Sequence, residues 1–310
     1  MSFVLLGILN SQAAGAVAAA VAGYVAGGEE GSDVTTVDKF AFPDETRTTL
    51  ATGLSSARRA LAGFSNSSVA GYAAGGRTPL DVATVDKFAF PSDSRTTLGT
   101  GLSSARDFSA GFYNTAVAGY AAGGQAGAPV STVDKFDFSD DTRTTLGTGL
   151  LSARWGSVGL SNPLVAGYVA GGVNSSSNNI SSVEKFAFPG DTRSLLATGL
   201  SNARSEGEAF SNNAVAGYVA GGTTGSLVST VDKFAFPSDT RTTLGTGLSA
   251  GRRNLAGFSN PSVAGYAAGG ESSGGKVDTV DKFDFSDDTR TTLGTGLSAN
   301  RRQMGAFQDA

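Results

Sequence analysis

The 310-residue chain has no cysteine and no histidine, one tryptophan and two methionines. The first two absences exclude disulfides, thiolate or imidazole metal sites, haem ligation, thiol nucleophiles and every histidine-based triad. Charged residues make up only 16% of the chain, and the net charge of −4 is spread along its length. That distribution excludes the concentrated basic footprint of a nucleic-acid binder. The opening apolar run, Phe3 to Leu9, is too short to span a bilayer and lacks the basic start of a secretory signal, so no membrane insertion is expected. What the chain has in abundance is glycine, 44 residues, and hydrophobic side chains, 40% in all, set at regular places; this argues for a folded protein.

That regularity is a repeat. A Gly-Gly pair ends at Gly28, Gly76, Gly124, Gly172, Gly222 and Gly270, so the intervals by subtraction are 48, 48, 48, 50 and 48 residues. Each copy carries four short β signals separated by Gly, Pro, Asn, Asp and Ser. In the third copy they are Ser109–Tyr113 (strand a), Val117–Gly123 (b), Thr132–Phe138 (c) and Thr142–Leu146 (d). Strand c alternates Asp134, Phe136 and Phe138 with Val133, Lys135 and Asp137. Four strands in about 40 to 50 residues is the size of one propeller blade, whereas parallel β-helix coils are much shorter.

The sequence therefore predicts an all-β, six-bladed propeller with four-stranded blades. Residues 21–310 form the propeller, and residues 1–20 are an apolar segment suited to attachment. Arg302–Asp309 aligns with Arg59–Asn66 and supplies a strand a without its strand b. Pairing that strand with Val21–Gly28 closes the ring, and closure removes exposed sheet edges.

The run Tyr72, Gly75, Gly76, Asp86, Phe88, Arg106 resembles a kelch repeat, and the match extends over all six copies. Where that family has a tryptophan, this chain has Arg47, Arg95, Arg143, Arg193, Arg241 and Arg290, which puts the family's usual packing there in question. The phrases G-Y-x-A-G-G, V-D-K-F-x-F and D-T-R-T-T-L are similar to kelch-like repeats in structural proteins of tailed bacteriophages, notably those of cyanobacteria and marine hosts. L-G-I-L-N-S-Q-A-A-G, Leu6 to Gly15, resembles the N-termini of phage virion proteins such as tail fibres. The resemblance implies a virion location, attachment to other virion proteins through the N-terminal segment, and recognition of a host-surface glycan or outer-membrane protein. It leaves homo-oligomerisation open. A capsid or tail decoration protein is the second expectation, and a cellular kelch-type interaction module the third.

Catalysis is not expected, because groups repeated in every blade do not converge at one place as a catalytic centre requires. Glu206 and Glu208 beside Arg204 read as an exposed turn. The Asp-rich turns lack calcium-loop spacing, and their short side chains suit backbone hydrogen bonds, so neither metal nor cofactor is expected. Asp38, Asp86, Asp134, Glu184, Asp232 and Asp281 share a strand face with Phe residues, which is tolerated only when the carboxylate is paired. Arg58, Arg106, Arg154, Arg204, Arg252 and Arg301 are the candidate partners, with the Arg of D-T-R as alternative. The copies differ most in the b-to-c and d-to-a connections, which leave one face of the disc. Arg59, Arg77, Phe108, Trp155 and Arg253 are the candidate ligand contacts on that face.

Overall fold

A computed structural model describes residues 21–309, so the proposed attachment segment lies outside the described residues. Six four-stranded antiparallel sheets follow one another around an axis, and no helix occurs among the described residues. The fold is a six-bladed β-propeller. Blade 1 joins the two ends of the chain: Gly305–Asp309 is its innermost strand, followed outward by Ala22–Ala26, Val37–Ala41 and Thr46–Thr49. The closing register runs from Ala22 opposite Asp309 to Ala26 opposite Gly305. Innermost strands of blades 2 to 6 are Ala62–Asn66, Ala110–Asn114, Val158–Asn162, Glu208–Asn212 and Ala256–Asn260.

Strand b is buried at every position, as its Val, Ala, Gly and Tyr content predicts for a strand covered on both faces. Aromatic rings fill the wedge between neighbouring blades. Phe64 of blade 2 stacks on Tyr72 at 5.1 Å and on Phe136 of blade 3 at 5.8 Å, and Phe138 stacks on Tyr72 at 5.4 Å. Two glycine positions make this packing possible. A Cβ on Gly119 would lie 2.0 Å from the Phe64 ring, and one on Gly63 would lie 1.8 Å from the Ala306 carbonyl beside the axis.

Two charged devices repeat around the ring. In the first, a buried arginine in the d-to-a connection meets the acid of strand c. Arg58 Nη1 is 2.9 Å from Asp86 Oδ2, Arg106 is 2.9 Å from Asp134, Arg204 is 2.8 Å from Asp232, Arg252 is 2.6 Å from Asp281 and Arg301 is 2.5 Å from Asp38. Arg154 pairs with Glu184 in the same way. The arginine of D-T-R approaches the other carboxylate oxygen, at 3.5 Å for Arg143 and Asp134, so both candidate partners converge on one acid. Asp86 also accepts hydrogen bonds from Thr97 Oγ1 and from the Ser55 amide and hydroxyl. Burial pushes this carboxyl up, but those bonds and Arg58 hold it below the ordinary aspartate range.

The second device ties each blade to the next. Tyr72 Oη donates to Asp141 Oδ1 at 2.8 Å, and Lys87 Nζ reaches Asp141 Oδ2 at 2.7 Å. The same grip recurs for Tyr24 on Asp93, Tyr120 on Asp191, Tyr168 on Asp239, Tyr218 on Asp288 and, closing the ring, Tyr266 on Glu45. Each of these acids sits at positive φ in a c-to-d turn. Burial and the carboxylate together raise the Tyr72 phenol above its usual range, so it remains a donor.

A candidate binding face around the propeller axis

The b-to-c and d-to-a connections meet on one face of the disc. Arg59 bridges Arg77, Asp107 bridges Gln125, Trp155 pairs with Val173, and Arg253 bridges Glu271. All of the candidate contacts therefore lie on the same side of the molecule. Ser205 bridges Thr223 and Arg302 bridges Glu29 in the same way, and the six residues that follow Arg59, Asp107, Trp155, Ser205, Arg253 and Arg302 form a closed backbone ring. Phe108 N donates to Ala60 O at 2.9 Å, Gly156 to Phe108 at 3.1 Å, Glu206 to Gly156 at 2.8 Å, Asn254 to Glu206 at 2.6 Å, Gln303 to Asn254 at 2.8 Å and Ala60 to Gln303 at 2.6 Å. All six have φ between 51° and 61°, a left-handed conformation that costs a non-glycine residue on the order of 1 kcal/mol. The backbone repeats six times, yet the six side chains are all different.

Around this ring the face is divided by chemistry. On one side Phe108 and Trp155 meet edge to face at 5.3 Å, both half-buried. On the other side lies an ionic chain. Arg253 contacts Glu206 at 3.1 Å and Glu271 at 3.0 Å; Arg302 contacts Glu271 at 2.8 Å and Glu29 at 2.9 Å; Lys276 reaches Glu29 at 2.7 Å. Burial pushes Glu29 and Glu271 up, but Lys276 and Arg302 at the first, and Arg302 and Arg253 at the second, hold both below the ordinary range. Of the predicted contacts, Phe108 and Trp155 come together and Arg77 stays largely exposed, 4.0 Å from Asp107. Arg59 is held by Asp33 at 2.5 Å and Arg253 by the two glutamates, so neither is a free cation.

Two acids were read differently from the sequence. Glu206 and Glu208 do not form an exposed turn: Glu206 belongs to the backbone ring and Glu208 begins the innermost strand of blade 5. Two acids two residues apart carry a turn signal, but the d-to-a connection here already runs along the axis. Burial lifts Glu206 above the ordinary range against the pull of Arg253, and pushes Glu208 up to about 8. Asp107, 3% exposed, is raised to about 6 by burial and by Asp81, with Arg77 opposing. Sequence reasoning passed over Glu29, Glu271 and Arg302. Their signal was available: they occupy the two positions that vary most between copies.

Below the ring, a cavity of about 50 Å³ reaches Phe108, Asn254, Gln303 and Glu208, and a second of about 90 Å³ continues past Glu208 toward Tyr113 and Gln308. Gln308 Nε2 donates to Tyr113 Oη at 3.2 Å across the far end. No three acidic or histidine groups converge to hold a metal ion among the described residues. The topology and this face define the molecule as a propeller with one diversified surface. Comparison with known proteins finds no family model that matches the chain and no curated protein that matches it.

Proposed function

We propose that this propeller is a non-enzymatic virion component of a tailed bacteriophage that recognises the host surface through the diversified face. The kelch-like and phage-like resemblance of its repeats supports the setting, and one observation carries the role. Six positions keep one strained backbone geometry while bearing Ala, Phe, Gly, Glu, Asn and Gln. Loops held on a rigid scaffold and differing in side chain are the usual carriers of recognition. The Phe108 and Trp155 rings offer flat apolar surface for a sugar ring or a protein side chain, with the ionic chain on the other side of the ring to set orientation. The purified protein should bind host cells and compete with particles for adsorption. Binding that is absent, together with particles that lose stability when the protein is removed, would instead favour a decoration protein.

A further inference from the structure

Glu208 is the one acid that opens an innermost strand; the equivalent residues are Ala62, Ala110, Val158, Ala256 and Gly305. Its side chain lies against Gly257 of the next blade, where an added Cβ would come within 2.7 Å of Glu208 Cγ. Its carboxylate accepts from the adjacent Ala209 amide at 2.9 Å and belongs to none of the ion pairs found among the described residues. Both axial cavities touch it. The wall of the smaller one also holds Ser157, 7% exposed with no hydrogen-bond partner for its hydroxyl, and Gln303, whose side-chain oxygen is likewise unpartnered. Leu61, Leu255 and Met304 supply the apolar part of its lining.

We propose that this axial cavity binds a primary ammonium group, with Glu208 as its counter-ion. An ammonium carries three donors and one charge, which suits one carboxylate and two neutral oxygens; a divalent cation prefers about six to eight oxygens, usually from several carboxylates. A single water needs on the order of 10–15 Å³, so cavities of about 50 and 90 Å³ have room for the head group and part of an alkyl stem. This site is independent of the host-attachment reading.

Burial holds Glu208 protonated up to about pH 8, so binding below that pH must expel a proton. Glu206, paired with Arg253, lines the smaller cavity, and Glu271 and Arg302 continue that ionic chain; Tyr113, pushed up to about 12 by burial, lines the larger cavity. Affinity should rise about tenfold per pH unit from pH ~6 to ~8 and fall only as the amine loses its own proton near pH ~10.4.

Calorimetric titration of the full chain with n-butylamine and with Nα-acetyl-lysine methylamide tests this, with sodium, potassium and calcium chloride in parallel. Saturable binding of n-butylamine alone assigns the site to free amines; binding of both extends it to lysine side chains. Glu208→Gln should weaken either by about tenfold or more and flatten the pH slope. Ser157→Ala, which leaves the charge in place, should weaken binding by about threefold. Equal binding by Glu208→Gln and wild type, saturation by a metal salt where the amines give none, or no amine heat from pH ~6 to ~9 would each overturn the proposal.

Discussion

On the face formed by the a-to-b and c-to-d turns, all six blades use one device: an acid at positive φ that grips a tyrosine of the preceding blade. On the opposite face six residues also share one left-handed backbone geometry, and no two carry the same side chain. Both sets accept similar backbone strain, but the return differs. In the first the side chain makes the inter-blade contact, so only Asp or Glu serves. In the second the backbone amides and carbonyls make it, and the side chain is left to vary. The propeller thus closes its diversified face with main-chain atoms and leaves the side chains there free to vary.

The comparison fails first if closure does not depend on shared strands. Deleting residues 303–310 removes Met304 and Phe307, 3% and 2% exposed, and uncovers the edge of Ala22–Ala26. Losing two large core side chains at about 3–5 kcal/mol each should lower the melting temperature by roughly 20 °C. An unchanged melting curve would mean that the ring holds without its seam.

The buried ion pairs come next. Arg106→Met leaves Asp134, 0% exposed, without its main counter-charge and should cost about 3–5 kcal/mol, near 10 °C in melting temperature. Burial pushes Asp134 up, but Ser103, Thr145 and Arg106 outweigh it and hold the carboxyl below its ordinary 3.8. Its contribution is therefore complete above about pH 4 and lost as pH falls through the lowered folded-state value. Acid denaturation of the variant should begin at higher pH than that of the wild type. Coincident acid curves would show that the six pairs are incidental to stability.

Much of this was legible in the sequence because it depends on period and composition. The 48-residue beat set the blade, the partial copy at Arg302–Asp309 set the closure, and Asp134 beside Phe136 demanded a buried partner. The inter-blade grip was not legible. Asp141 forms a local turn signal, and the Tyr72 that it holds lies 69 residues away in another blade. The axial ring was hidden for a related reason: its bonds are made by main chain, and main-chain bonds leave no residue preference when six different side chains satisfy them. Glu208 was misjudged because Arg204, Ser205 and Glu206 just before it are polar, whereas its neighbours in space are the strands around the axis.

The grip itself should be worth less than the buried pairs, since its acid and lysine are partly exposed, 24% and 22% for Asp141 and Lys87, although the tyrosine is buried. Tyr72→Phe removes one hydrogen bond to Asp141 and leaves Lys87 in place, so a loss of about 1–2 kcal/mol, or 3–4 °C, is expected. The same change at Tyr24, Tyr120, Tyr168, Tyr218 or Tyr266 should give the same shift within error. A blade that departs strongly from the others would show that the two faces do not divide as described.

The smallest effect on stability is expected where the effect on recognition is largest. Trp155→Ala removes a half-buried ring whose aromatic contact is with Phe108, and should cost only about 1 kcal/mol, near 2 °C. Leu164, 69% exposed in an a-to-b turn, provides the matched control on the opposite face. Both variants should melt close to the wild type. Adsorption to host cells should then fall about tenfold or more for Trp155→Ala and for Phe108→Ala, as for an aromatic hot spot, and stay unchanged for Leu164→Ala. Arg77→Ala should lose less, because that side chain is exposed and its partner Asp107 is 4.0 Å away. If Leu164→Ala lost adsorption while the aromatic variants kept it, recognition would belong to the uniform face, and the variation around the axis would be drift in loops whose backbone alone is constrained.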